Sequence, residues 1–264
     1  MNIDQQILDH LFHKWGSDSE KLALNEKYRY TPPYPTLALE DFIPYNVAKL
    51  LYEESQTIPT KYWTTFTRAD SYMEECKDLT EAPVARGVVS ALHSREFLTW
   101  LSQVCDVKHL LPDPYLTGAG YMKSFKGDSL KIHSDFNWNE ECQTHRALSL
   151  ILYFTPDWDE AWHGDLQFWD FEKTKKIVSY PPKMGNVVVW KYHKRGFHGH
   201  PNPITCPDDR FRVGFRTFYY IADSKHDWRD PPHKSLYWYD KDKNQPYHLE
   251  NEYGHGKLED DGEK

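Results

Sequence analysis

Two residues near the middle of the chain have the types and the spacing of metal ligands. The segment 131–137 reads as the end of a β-strand and contains His133 and Asp135, two positions apart. Side chains at positions i and i+2 of a strand point to the same face, so this imidazole and this carboxylate are expected to converge on one ion. A histidine from a neighbouring strand would complete a set of two histidines and one carboxylate. Such a set suits Fe(II) and leaves coordination positions open for other reactants.

The third ligand has two candidates in the segment 195–204, His198 and His200. In an extended segment both would lie on the same face, because they are also two residues apart. Spacing therefore leaves both open. The histidine that does not bind the metal would be free to orient a ligand or a neighbouring group.

A strand further along the chain carries two arginines on one face. Arg212, Gly214 and Arg216 alternate along an aromatic, β-rich segment that ends near residue 222. A guanidinium stays charged at physiological pH and pairs with a carboxylate through two parallel hydrogen bonds. Two guanidiniums on a buried face require an anion nearby, so we expect an acidic ligand in this region.

These motifs occur in an order that resembles a known family. From about residue 112 to residue 221 the chain resembles the 2-oxoglutarate- and Fe(II)-dependent dioxygenases, and within them the prolyl 4-hydroxylase-like branch that includes the ribosomal-protein prolyl hydroxylases. The resemblance is carried by HSDFN at 133–137, HRALSLILYFTPDW at 145–158, GDLQFWD at 164–170, FHGHPNPITCP at 197–207 and RFRVGFRTFYY at 210–220. The ordered set is more specific than any one of its motifs.

The resemblance implies a role for each of five residues. It assigns the iron to His133, Asp135 and His198, and so prefers the first of the two later histidines. It assigns the distal carboxylate of 2-oxoglutarate to Arg212, with Tyr153 as a second contact. The chain departs from the family pattern where a histidine precedes Gly164 in place of a glycine, and where a glycine replaces the serine common two residues after the arginine.

The implied reaction is hydroxylation of a C–H bond, coupled to decarboxylation of 2-oxoglutarate to succinate and CO2. It uses Fe(II), O2 and 2-oxoglutarate, with ascorbate as the reductant. Asp135 favours hydroxylation, since related halogenases lack this carboxylate and place a halide there. A prolyl residue of a protein or peptide is the first expectation for the substrate, and a free amino acid or another small metabolite is the alternative.

Two readings of another kind stay open on the sequence. One is a non-catalytic jelly roll that binds a sugar or an anion, which abundant Trp and Tyr would also suit. The other is a cupin-like metal enzyme that does not use 2-oxoglutarate. A shared fold cannot separate them from the oxygenase, because function resides in the site.

The surrounding pattern predicts the elements that hold these residues. Helices are expected at 3–13, at 44–56 and from Ser94 onward, where a serine is a good N-cap. Strands are expected at 115–125, 129–135, 147–155, 165–170, 176–180, 186–193 and 211–222. The predicted class is mostly β with flanking helices (α+β), with a double-stranded β-helix core of the jelly-roll, cupin-like type and the N-terminal helices packed on one side.

The same pattern predicts three regions along the chain. Residues 1–110 are expected to be a helical support, residues 111–225 the catalytic core, and residues 226–264 an extension. The charged tail of that extension, from about Glu250, is expected to be disordered.

Composition narrows the partners and the compartment. The 264 residues carry a net charge of -8, which disfavours duplex nucleic acid as a partner. No segment approaches the ~20 apolar residues of a membrane span, and the N-terminus predicts a surface helix rather than a secretory signal. The cysteines are far apart and form no CxxC pair, which argues against a zinc site or a disulfide framework and favours a reducing cytoplasm. They are Cys76, Cys105, Cys142 and Cys206.

Overall fold

The computed structural model describes residues 2–68, 71–222 and 232–237. Its helices within these ranges are α1 (Ile3–Trp15), α2 (Asp18–Tyr30), α3 (Tyr45–Thr57), α4 (Pro83–Leu92) and α5 (Arg95–Cys105). Its strands are β1 (Thr36–Leu39), β2 (Thr64–Arg68), β3 (Ser71–Cys76), β4 (Leu111–Pro112), β5 (Gly120–Ser124), β6 (Leu130–Ser134), β7 (Trp138–Asn139), β8 (Thr144–Tyr153), β9 (Leu166–Trp169), β10 (Lys176–Tyr180), β11 (Val187–Lys191), β12 (His198–His200), β13 (Arg212–Ile221) and β14 (Leu236–Tyr237).

The strands form two antiparallel sheets. The described part of the larger sheet runs in the order β1-β11-β8-β13-β5-β3-β2, with β4 beside β13 and β7 beside β8. The smaller sheet runs β10-β9-β12-β6-β14. Apolar side chains from β8 and β11 pack against those of β6 and β9 between the two sheets. The predicted mostly-β class with a double-stranded β-helix core and flanking helices is confirmed.

Strand β8 is buried on both faces, which explains its nearly continuous apolar sequence. Leu148, Leu150 and Leu152 join the core that includes the helices. Ile151 and Tyr153 face the other way, into the core between the sheets. This alternation follows from the two-residue period of a strand.

The helices pack on the outer face of the larger sheet. Ile7 and Leu11 of α1 are fully buried, so the predicted surface helix has one face in the core. Helix α5 begins after Ser94, whose hydroxyl accepts a hydrogen bond from the backbone N–H of Phe97 at 3.1 Å, as the N-cap prediction requires. Among the described residues no helix is both long and apolar enough to cross a membrane.

Several elements were not predicted. Helices α2 and α4 lie between the expected ones, and strands β1, β2 and β3 of the first 110 residues join the larger sheet. Helix α2 is mostly polar, but its start carries a full capping box between Ser17 and Glu20, a signal visible in the sequence. The tail from Glu250, predicted to be disordered, lies outside the described residues.

Candidate active site

The structure brings His133, Asp135 and His198 together. His133 on β6 and His198 on β12 are paired across the smaller sheet, and Asp135 lies just beyond the end of β6. One ligand atom from each of the three lies within 4.8 Å of the others. The Nε2 atoms of His133 and His198 lie 3.8 Å and 3.6 Å from Oδ1 of Asp135. His200, the other candidate for the third position, is not part of this cluster.

The two imidazoles are oriented as metal ligands usually are. Nδ1 of His133 donates to the carbonyl oxygen of Lys131, and Nδ1 of His198 donates to that of Gly196, each at 2.8 Å. Since a carbonyl can only accept, these bonds place the hydrogen on Nδ1 and leave the lone pair on Nε2. Two such nitrogens and a carboxylate oxygen are a donor set that fits Fe(II).

Charge and burial keep both kinds of ligand in the form that binds a metal. Burial, together with the neighbouring His198, lowers the pKa of His133 to about 3, so its ring is neutral at neutral pH. Burial alone would raise the pKa of Asp135. The charge of Arg146, helped by the neighbouring His198, outweighs burial and holds that pKa well below its usual range.

Asp135 is held by two groups from β8. A terminal guanidinium nitrogen of Arg146 lies 2.9 Å from Oδ2 of Asp135, and the hydroxyl of Ser149 donates to the same oxygen at 2.8 Å. The guanidinium is fully buried between the rings of Phe136 and Phe218, whose centroids lie 3.6 Å and 3.5 Å from it. These contacts leave Oδ1 directed toward the two histidines.

A β-bulge explains why sequence reasoning did not find Arg146. Tyr219 of β13 pairs with Leu148, but Tyr220 pairs with Arg146, so Ala147 is an extra residue in β8. Regular alternation would place Arg146 on the helix side with Leu148. The extra residue reverses that parity and turns the guanidinium toward Asp135.

Arg212 lies at the start of β13, deep inside the protein. It is 3% exposed, its Nε donates to the carbonyl oxygen of Gly164 at 2.8 Å, and one terminal nitrogen donates to the hydroxyl of Tyr153 at 2.8 Å. Both partners are neutral, and no carboxylate of the described residues forms an ion pair with this guanidinium. A buried cation without a counter-ion is costly, so the surroundings of Arg212 fit an anionic ligand.

Arg216, on the same face of β13, has a counter-ion within the protein. It pairs with Glu75 of β3 and donates through Nε to the carbonyl oxygen of Gly118 at 2.7 Å. Of the two guanidiniums expected to need an anion, Arg216 therefore has one already, whereas Arg212 has none within the described part of the chain.

The turn at His163 and Gly164 contacts Arg212 and contains the first departure from the family pattern, which places a histidine in a backbone conformation that suits glycine. Gly164 has φ +77°, and a Cβ there would lie 3.1 Å from Cδ of Arg212. His163 has φ +65° and ψ -152°, a region almost confined to glycine. Its carbonyl accepts from the indole of Trp158 at 2.9 Å, which holds the turn in place. This histidine occupies the position where the family usually has a glycine.

The second departure has a steric reason. A Cβ on Gly214 would lie 2.8 Å from the carbonyl oxygen of Leu152 and 3.0 Å from Cε of Met122. The serine common at this position in the family has no room here unless both the backbone of β8 and Met122 move.

A cavity of about 340 Å³ opens beside the metal-ligand cluster. His133 and Asp135 form part of its wall, and the ring of Tyr237 stacks on His133 at 4.8 Å. Glu75 and Arg216 form a polar part of the same wall. The remaining wall combines apolar and aromatic side chains with a few polar ones. The apolar and aromatic residues are Phe66, Met73, Leu130, Phe136, Trp138 and Phe218, and the others are Thr117, Gly118, Lys234 and Ser235.

Comparison with known proteins agrees with this geometry. Residues 119–220 match the model of the 2OG-Fe(II) oxygenase superfamily. No curated protein sequence matches the chain.

Solved structures share the fold at low sequence identity. A prolyl-4-hydroxylase from Pseudomonas putida matches with a TM-score of 0.58 and 12% identity, over 77% of this chain and 100% of that one. A Trichoplax adhaerens prolyl hydroxylase, in complex with a hypoxia inducible factor oxygen degradation domain peptide fragment, matches with a TM-score of 0.56 and 12% identity, over 78% and 92%. A 2OG-Fe(II) oxygenase family oxidoreductase from Burkholderia pseudomallei matches with a TM-score of 0.55 and 10% identity, over 77% of this chain and 92% of that one. The resemblance drawn from the sequence motifs is confirmed over residues 119–220, the segment that is similar to the 2OG-Fe(II) oxygenase superfamily.

Proposed function

We propose that this protein is an Fe(II)- and 2-oxoglutarate-dependent dioxygenase that hydroxylates a prolyl residue of a protein or peptide. One observation carries the proposal. A compact cluster of two imidazoles and one carboxylate shares the interior of a double-stranded β-helix with Arg212, a buried guanidinium that has no carboxylate partner among the described residues. The first fits Fe(II), and the second fits the distal carboxylate of 2-oxoglutarate.

Each residue then has a defined task. His133, Asp135 and His198 hold the iron, and Arg146 and Ser149 fix the direction of the Asp135 carboxylate. The bound iron and 2-oxoglutarate supply the oxidative chemistry that couples decarboxylation to hydroxylation, while the protein supplies position and shielding from water.

The cosubstrate is held at its far end by Arg212 and Tyr153. The hydroxyl of Tyr153 accepts from Arg212, so its own hydrogen can be donated to a carboxylate. Burial raises the pKa of Tyr153, which keeps that hydrogen in place at neutral pH. Two donors of fixed direction therefore face the same anion.

The cavity beside the iron site supports a prolyl substrate. The prolyl ring is apolar and has no N–H, so it suits a wall formed by residues such as Phe66, Met73 and Leu130. The peptide groups on either side of the ring are polar and can reach Arg216 and Glu75 on the same wall. Structural neighbours described as prolyl hydroxylases, one of them bound to a peptide, favour the same class.

The first experiment tests the metal and cosubstrate. Purified protein is titrated anaerobically with Fe(II) and then with 2-oxoglutarate, and a visible charge-transfer band is expected when both are bound. His133→Ala and Asp135→Ala are expected to lose bound iron and succinate formation while the protein stays folded. Iron binding without any 2-oxoglutarate band in the wild type would favour a cupin-like enzyme, and full activity in either variant would rule out the proposed ligands.

The second experiment tests the substrate. The full chain is used, because strands from residues 1–110 complete the sheet of the core assigned to residues 111–225. Prolyl peptides and free amino acids are incubated with Fe(II), 2-oxoglutarate, O2 and ascorbate, with His133→Ala as the inactive control. Succinate release and the gain of one oxygen by the substrate are measured. Turnover of a free amino acid but of no peptide would replace the prolyl-peptide proposal by the small-metabolite alternative.

A further inference from the structure

His200, the last residue of β12, has a buried side chain whose hydrogen-bonding groups have no partner among the residues that the structure describes. It is 1% exposed, and within these residues neither Nδ1 nor Nε2 has a hydrogen-bond partner. Its neighbours in the site differ, since His133 and His198 both use Nδ1 to donate to a backbone carbonyl. Leaving a buried polar group without a hydrogen bond is energetically costly, so such a group calls for an explanation.

The position of His200 in the site indicates which ligand could provide its missing hydrogen-bond partner. It lies two residues after His198 but outside the cluster of metal-ligand atoms. Strand β12 runs antiparallel to β9 with Gly199 opposite Gln167, so His200 lies beside the start of β9. Gly164, two residues before β9, accepts a hydrogen bond from Arg212. His200 therefore lies near the guanidinium that has no counter-ion among the described residues.

We infer that His200 is a further cosubstrate-binding residue, which donates a ring N–H to a carboxylate of 2-oxoglutarate. The inference rests on the proposed function. A cosubstrate held between the three candidate metal ligands and Arg212 would lie close to His200. A neutral imidazole has one N–H donor, and a carboxylate accepts. The cosubstrate would therefore satisfy a donor that has no partner among the described residues.

The test is cosubstrate binding, measured apart from turnover. His200→Leu removes both ring nitrogens at similar bulk, while His200→Gln and His200→Asn restore a side-chain N–H donor. Each variant is titrated anaerobically, first with Fe(II) and then with 2-oxoglutarate, and the charge-transfer band is followed. We expect unchanged iron binding in all three. We expect about 10- to 100-fold weaker 2-oxoglutarate binding in His200→Leu and partial recovery in at least one amide variant.

A matched control removes a partly buried histidine on the other side of the larger sheet. His93 contacts the hydroxyl of Thr217, whose side chain lies on the face of β13 opposite to Arg212. His93→Leu is expected to bind 2-oxoglutarate as the wild type does. Equal weakening in this control, or no recovery in either amide variant, would assign the effect to packing and overturn the inference.

Three further results would also overturn it, in ways that can be told apart. Unchanged 2-oxoglutarate affinity in His200→Leu would refute the contact and leave the proposed function intact. Loss of iron in His200→Leu would make this histidine a metal ligand. A wild-type protein that binds iron but not 2-oxoglutarate would refute the proposed function, and the inference with it.

Discussion

Replacing Arg212 by alanine is expected to weaken 2-oxoglutarate binding by about two orders of magnitude and to leave iron binding nearly intact. Iron binding is expected to be retained because none of the three proposed metal ligands contacts this guanidinium. A hydrogen bond to a charged group contributes about 1.5–3 kcal/mol, and a bidentate pair contributes more. At about 1.4 kcal/mol per tenfold, the loss amounts to roughly a hundredfold.

The fold is expected to survive this change. Arg212 is buried with only the neutral partners Gly164 and Tyr153, so its removal leaves no charged group without a counter-ion. Arg212→Lys is expected to recover part of the affinity, because an ammonium keeps the charge but cannot reproduce the planar fork.

The assay is anaerobic titration with 2-oxoglutarate in the presence of Fe(II), read from the charge-transfer band, with circular dichroism as the check on folding. Arg216→Ala is the matched control, since it removes an arginine from the same face of the same strand, and its charge is already paired with Glu75. It is expected to keep its affinity for 2-oxoglutarate. A normal Arg212→Ala with a crippled Arg216→Ala would show that the two arginines have the opposite roles.

Three other changes test the surroundings of the site. Arg146→Met leaves the largely buried Asp135 without its cation, so the metal-free protein should lose about 3–5 kcal/mol of unfolding free energy. Bound Mn(II) should restore part of this loss, and denaturant titration with and without Mn(II) measures the loss and the recovery. His163→Gly should raise the unfolding free energy by about 1 kcal/mol, since it relieves a backbone conformation that suits glycine; an unchanged or lower denaturation midpoint would contradict the strain. Gly214→Ser should lower thermal stability without improving 2-oxoglutarate affinity, because its Cβ meets the backbone of β8; tighter binding at unchanged stability would show that the serine fits.

Much of the fold could be predicted because its signals are local. The seven predicted strands each contain or overlap one of the longer strands of the core, and the predicted start of α5 at Ser94 is confirmed. Strands β1 to β3 were missed, since their short segments show little of the alternation that marks a strand and are stabilised by distant partners. β1 pairs with β11, which follows it by about 150 residues of chain, and β3 pairs with β5.

The sequence by itself determined the relation between His133 and Asp135, because two residues of spacing along an extended segment set a common direction for their side chains. It likewise determined that Arg212 and Arg216 share a face. Which of the two has an internal counter-ion was decided only by the tertiary structure, which brings Glu75 of β3 beside Arg216.

Two further features also depended on the tertiary structure. The pairing of β12 with β6 places the Nε2 atom of His198 within reach of His133 and Asp135, and His200 is not part of this cluster. Sequence spacing alone could not distinguish the two histidines. The bulge in β8 turns Arg146 toward Asp135, against the parity that its sequence position implies. Both features depend on the register between strands that are distant in sequence, and this register follows from the packing of whole sheets. Side-chain direction within one strand, in contrast, follows from the backbone alone.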